Sequence, residues 1–206
     1  MASKQLITLG KDGELSFRMP DGSLQTMTDW DAESECYVYL VIDCSGSMTG
    51  DKIEKAKRGG IDFAKSALAD GYSVGVISFS DASSHLLAPI KSTAEITTGI
   101  NRLYIQGGTN MAPAIEEVMS RFKDKRNATL AMVIVTDGIT TNPDLALRAA
   151  ERAKKMGISI LTIGTDDADS TFLSKLASQS ELSKHVSSGL LDEAISETAK
   201  MLPRGK

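Results

Sequence analysis

Apolar residues recur in two rhythms along this chain. Four short runs are almost unbroken: residues 37–42, 74–79, 130–135 and 158–163. Runs without polar alternation suit strands buried on both faces, as in a parallel sheet. Two weaker pieces, residues 86–88 and 185–186, predict edge strands. Between the runs the spacing changes to three and four. Ile53, Ala56, Gly60, Phe63 and Ala67 form one stripe, and Ile115, Val118 and Phe122 a second. Leu145, Ala149, Ala153 and Met156 form a third, and Leu191, Ala194, Thr198 and Met201 a fourth. Each predicts a helix with one apolar face for a sheet. Gly59 and Gly60 cost the first helix about 1 kcal/mol each relative to Ala. They predict a close approach of helix and sheet. Lys52, Glu54, Lys55 and Arg58 on that helix read as a solvated face.

Strand–helix alternation from residue 37 onward argues for a doubly wound α/β sheet with helices on both faces. Residues 1–36 differ. Strand-like pieces at 6–9, 14–17 and 24–27 are separated by turn chemistry, Gly-Lys-Asp-Gly at 10–13 and Pro-Asp-Gly-Ser at 20–23. The expected organisation is a β-hairpin-like extension over 1–36 and one domain over 37–206.

Composition narrows the function. The 206 residues are 41% hydrophobic and 24% charged. A chain this long buries roughly 70% of its unfolded surface, so its core needs no metal or disulfide to fold. With 23 basic and 27 acidic side chains the net charge is -4, which argues against nucleic-acid or anionic-membrane partners. No run approaches the roughly 20 apolar residues of a membrane span. The first residues lack the pattern of a secretory leader. Cys36 and Cys44 bracket the first strand, and eight strand residues span roughly 26 Å. A disulfide needs Cα atoms within about 7 Å. Free thiols are therefore expected, and with them a reducing, cytoplasmic setting. Only His85 and His185 are available for a histidine-based metal cage or nucleophile.

Three loops carry candidate chemistry. In Asp43-Cys44-Ser45-Gly46-Ser47, alternate side chains of an extended segment share a face, so Asp43, Ser45 and Ser47 point together at a strand's carboxyl end. In open α/β sheets ligands bind there. Helix capping is the plainer reading of such Ser and Asp residues. The second loop is Gly107-Gly108-Thr109-Asn110, where Asn110 can cap the next helix and leave Thr109 free. The third is Thr136-Asp137-Gly138, itself a common turn sequence. Together they offer two carboxylates, three hydroxyls and no nitrogen or sulfur. Oxygen-only ligation favours Mg²⁺, Mn²⁺ or Ca²⁺ over zinc or copper.

These residues resemble a known family. Asp43-x-Ser45-x-Ser47, Thr109 in Gly-Gly-Thr and Asp137 in Thr-Asp-Gly are similar to the metal-ion-dependent adhesion site of von Willebrand factor type A domains. The resemblance covers about residues 37–202, including Gly164-Thr165-Asp166-Asp167. It implies a Rossmann-like, mostly parallel sheet with one short antiparallel edge strand at 86–88. It also implies Mg²⁺ or Mn²⁺, with Ca²⁺ less favoured, held directly by Ser45, Ser47 and Thr109. Asp43 and Asp137 would act directly or through water. Residues 1–36 lie outside the pattern, and Cys44 fills a position the motif leaves open.

Hydroxyl ligands are neutral and leave much of a 2+ charge uncompensated. A partner's Asp or Glu carboxylate is then a natural final ligand. Without metal, Asp43 and Asp137 would face each other as like charges. Other chemistries fit poorly. A phosphoaspartyl enzyme wants Asp at 45, a nucleophile elbow wants Gly at 43 and 47, and a cysteine phosphatase wants Arg where Gly50 stands. No Gly-x4-Gly-Lys-Ser/Thr loop exists. Cys44 reads as a bystander. His85 and His185 read as surface or packing residues, and Asp81, Asp166, Asp167 and Asp169 as caps or rim. The expected function is a non-enzymatic, metal-dependent protein-binding module. The alternatives are a type A subunit of an ATPase or chelatase-like complex, a metal-assisted hydrolase, and a structural domain with an empty site.

Overall fold

The computed structural model describes residues 7–9, 15–18, 22, 24–27, 35–125 and 127–204. The chain divides into two compact units, Met1–Ser34 and Glu35–Lys206. In the first unit β1 (Ile7–Leu9), β2 (Leu15–Arg18) and β3 (Leu24–Met27) form an antiparallel meander. Leu15 stands opposite both Leu9 and Met27. Gly22 has φ 87°, the left-handed backbone that Gly takes without a steric penalty. The turn at 10–13, the rest of 20–23 and the strand-opening residues Leu6 and Glu14 lie outside the described residues.

The second unit is a six-stranded sheet. Its strands are β4 (Cys36–Asp43), β5 (Tyr72–Phe79), β6 (Ser83–Ile90), β7 (Thr129–Thr136), β8 (Ile158–Thr165) and β9 (Ser183–Val186), in the order β6-β5-β4-β7-β8-β9. All neighbours run parallel except β5 and β6. This is the doubly wound, Rossmann-like arrangement with one antiparallel edge. β6 is longer than the 86–88 expected. It is half-exposed and its pairing is irregular near Val76, which blurs its pattern.

The four apolar runs are the four inner strands, buried on both faces as their composition requires. On one face, Val38, Leu40 and Ile42 pack with α1 (Asp51–Ala69), α2 (Thr93–Asn101) and α6 (Leu191–Thr198). On the other, Tyr37, Tyr39 and Val41 meet α3 (Ala112–Phe122), α4 (Pro143–Lys155) and α5 (Ser170–Leu176). The short helices α2 and α5 have no clear periodic signature. In α4 the buried stripe is Ala146, Ala149, Ala150 and Ala153, while Leu145 and Met156 are exposed. Small side chains let this helix lie close to the sheet, so the alanines rather than the larger residues face inward.

The paired glycines of α1 do different things. A Cβ on Gly59 would stand 2.6 Å from the Asp192 carbonyl oxygen and 2.8 Å from its Cα. Gly59 therefore permits a helix–helix approach to α6, not the helix–sheet approach expected. A Cβ on Gly60 would meet only side-chain carbons at 3.5 Å or more. Gly60→Ala should leave the melting temperature unchanged or raise it by up to about 4 °C, from a helix-propensity gain of about 1 kcal/mol. Gly59→Ala should lower it, because α6 must move, at a typical overpacking cost of about 1–3 kcal/mol. Paired melting curves check this; equal effects at both positions would contradict it.

Candidate metal centre

The site is built where the parallel strands end. Asp43 closes β4 and is fully buried. One carboxylate oxygen accepts the Ser45 backbone N–H at 2.8 Å, and the other accepts the Thr136 hydroxyl at 2.5 Å. Burial pushes the Asp43 carboxyl above its usual range. Hydrogen bonds from Thr136 and Ser45 oppose that shift, and the nearby charge of Asp137 adds to it.

Beyond Asp43 the chain enters a 3₁₀ turn, Gly46–Met48, and then α1. The capping reading of the serines fails here. Ser45 makes no side-chain cap, and α1 starts from Gly50 at φ 81°. The two hydroxyls instead turn toward each other, with Ser45 Oγ and Ser47 Oγ 3.1 Å apart. Ser47 Oγ donates to Asp137 Oδ1 at 2.7 Å. A Cβ on Gly138 would lie 3.5 Å from Thr109 Oγ1 and 3.7 Å from Ser47 Oγ. Those two hydroxyls thus flank the space that Gly138 leaves open.

Backbone hydrogen bonds stitch the three loops. Gly46 N–H donates to Gly107 O at 3.0 Å, and Gln106 N–H to Cys44 O at 2.7 Å. The Thr109 carbonyl accepts the Thr141 N–H at 2.8 Å and the hydroxyls of Thr140 and Thr141. The Asp81 carboxylate lies against Gly107 and Gly108, where a Cβ on Gly108 would come within 2.6 Å of it. The glycines make room for that carboxylate.

Asn110 does not cap α3. Its side-chain N–H reaches Asp81 O at 3.4 Å, its Oδ1 is buried without a partner, and Thr140 Oγ1 receives the Met111 N–H instead. Asp169 does cap, accepting the Phe172 N–H at 3.0 Å.

Lys52 is a site residue that its sequence context does not reveal. It is not on a solvated face. Its ammonium lies 2.6 Å from Asp137 Oδ2 and 2.8 Å from Asp166 Oδ2, with the Asp137 side chain fully buried. Burial opposes the Lys52 charge, but hydrogen bonds and charges from both carboxylates outweigh it and hold its pKa above the usual value. Asp166 sits at φ 52°, unusual outside Gly, and its carboxyl is held below the usual range chiefly by Lys52. Arg58, expected on the same solvated face, pairs with Asp192 at 3.1 Å.

The donors suit a hard cation: two carboxylates, three hydroxyls and no softer atom. Among the described residues no three His, Cys, Asp or Glu side chains form a conventional cage. Cys44 is fully buried and its thiol is pushed up to about 12, chiefly by burial, so it stays protonated. The Tyr39 hydroxyl lies 3.0 Å from His85 Nε2 in a packed contact on the sheet, away from the strand ends. His185 is exposed on β9.

The model for the von Willebrand factor type A domain matches residues 38–196. The chain belongs to that family. Type A domains are commonly protein-interaction and adhesion modules. This one is 27% identical to the mouse (Mus musculus) collagen alpha-4(VI) chain, with the match covering 78% of this chain and 7% of the collagen chain. It thus spans a small fraction of that relative. The vWF domain of the type V pili tip protein Mfa5 from Porphyromonas gingivalis superposes with a TM-score of 0.73 at 16% identity, over 85% of this chain and 99% of that one. Proximal thread matrix protein 1 from the mussel byssus, solved with a zinc-occupied MIDAS motif, gives 0.67 at 18%, over 82% and 47%.

These relatives overturn the expected cytoplasmic setting. The relatives are a collagen chain, a pilus tip protein and a byssus thread protein, all extracellular. The thiols do not report the compartment. Cys36 and Cys44 open and follow one extended strand, so its geometry keeps them apart in any redox environment. No helix among the described residues is long and apolar enough to cross a membrane.

A pH series tests the buried carboxylate. In EDTA at about pH 7, Asp43→Asn should melt no lower than the parent, because the amide removes a desolvated charge and keeps one acceptor. The folded-state pKa is raised, so the folded protein takes up the proton before the unfolded chain does. The penalty of the charged form fades as pH falls, and the variant's advantage should shrink toward ~pH 4. A variant melting well below the parent at neutral pH would contradict this and show that the loops need both acceptor oxygens of Asp43 more than they lose by burying its charge.

Proposed function

We propose that this type A domain is a metal-dependent protein-binding module with an intact metal-ion-dependent adhesion site. Ser45, Ser47 and Thr109 hold the cation directly, and Asp43 and Asp137 hold it directly or through water. The ion is Mg²⁺ or Mn²⁺ in preference to Ca²⁺. A protein partner supplies an Asp or Glu carboxylate as the remaining ligand. The module acts by binding, without turnover.

One observation carries this reading. The Ser45 and Ser47 hydroxyls make no helix-capping bond, yet they meet beside Asp137 and near Thr109. Mg²⁺ takes about six oxygens near 2.0–2.1 Å, so three hydroxyls leave positions for water and one incoming anion. Those neutral ligands keep the ion attractive to a carboxylate. The zinc-occupied site of the mussel protein makes Zn²⁺ a required competitor in any test of ion choice.

Cation at about 100 times its dissociation constant adds about 2.7 kcal/mol. The parent's melting temperature should then rise by roughly 5–10 °C in excess Mg²⁺ or Mn²⁺ relative to EDTA. Ser47→Ala should lose most of that rise; an undiminished rise would put the ion elsewhere. Partner capture should disappear in EDTA and weaken when acidic residues of the captured partner become amides. Equal capture in both buffers would contradict the reading.

A further inference from the structure

The pairing of Lys52 with the site deepens the proposed function and rests on it. Lys52 lies in the first turn of α1, immediately after the loop that carries Ser45 and Ser47. Its ammonium contacts one oxygen of Asp137, at 2.6 Å, while the other oxygen receives the Ser47 hydroxyl at 2.7 Å. A full positive charge therefore sits one carboxylate away from a hydroxyl that would hold the cation. The same ammonium holds Asp166 on the β8–α5 loop at 2.8 Å. We propose that Lys52 is the built-in counter-ion of this site, replacing the missing cation charge in the metal-free state and lowering the affinity for the cation when it binds.

Without Lys52, the buried carboxylates of Asp43 and Asp137 would stand near each other with no positive charge between them and solvent. The ammonium neutralises one of them, so the metal-free protein carries less of the repulsion that two like charges impose. An incoming divalent ion then meets a smaller negative charge and a fixed positive one. Fixed charges at such range couple strongly where water is partly excluded. The same arrangement keeps the bound ion under-neutralised. It adds a second cation beside the place where a partner's carboxylate must arrive. Cation affinity is lowered and attraction for the anionic partner is raised.

Calorimetric titration of Mn²⁺ into the whole chain tests this, with the parent, Lys52→Gln and Lys52→Arg compared. Lys52→Gln should bind Mn²⁺ about tenfold tighter, which corresponds to about 1.4 kcal/mol. Lys52→Arg keeps the charge and should stay within about threefold of the parent, which separates charge from side-chain packing. In EDTA, Lys52→Gln should melt below the parent. Equal or weaker Mn²⁺ binding by Lys52→Gln overturns the counter-ion role while leaving the metal site standing. No Mn²⁺ binding by any of the three proteins removes the metal site and the counter-ion role with it. An unchanged melting temperature in EDTA also counts against the proposal, because the ammonium would then relieve nothing.

Discussion

The site depends on one buried carboxylate. Asp43 ends the central strand with no exposed surface, so each of its oxygens must find a donor inside the protein. One takes the Ser45 backbone N–H and the other the Thr136 hydroxyl. The first bond bends the chain back over the strand end and brings Ser45 and Ser47 together. The second ties the end of β7 to the end of β4, which places Asp137 beside Ser47. The Thr109 loop joins through the Gly46 N–H on Gly107 O and the Gln106 N–H on Cys44 O, and the Thr109 carbonyl accepts the Thr141 N–H. The constellation is thus held by the strands and their hydrogen bonds, and its hydroxyls are left available.

Charge balance is the second constraint. Two carboxylates at the end of a sheet are a destabilising arrangement unless something positive stands nearby. The first helix supplies it within the same chain, because α1 begins immediately after the loop and directs Lys52 back at Asp137. Farther along that helix, Gly59 lets α6 approach closely and Arg58 pairs with Asp192 on α6. One helix therefore serves both the site and the packing of the domain's final helix.

Much of this is legible in the residues. The inner strands are continuous apolar runs because both of their faces are covered, and runs of six residues are too short for buried helices. The alternation of Asp43, Ser45 and Ser47 at a strand end, with Thr109 just before a helix and Asp137 at a second strand end, marks the three loops that come together. The edge strand β6 extends past its apolar centre because an exposed, irregularly paired strand need not be apolar. In α4 the largest side chains suggest one stripe, whereas close packing selects Ala146 and Ala150. Lys52 looks like any charged residue in a first helical turn. Its partners are 85 and 114 positions away, on loops that only the folded topology brings near it. Asn110 suits a cap by its identity, but Thr140 reaches the Met111 N–H and leaves the Asn110 side chain to another contact.

These three loops are proposed to form one cation site. A crystal of the full chain grown with Mn²⁺, with data collected at the manganese absorption edge, tests it most directly. An anomalous peak is expected within about 2.5 Å of Ser45 Oγ, Ser47 Oγ and Thr109 Oγ1, with at least one position left for an outside oxygen. A fully occupied Mn²⁺ peak elsewhere, or no peak among these hydroxyls at saturating Mn²⁺, would contradict it.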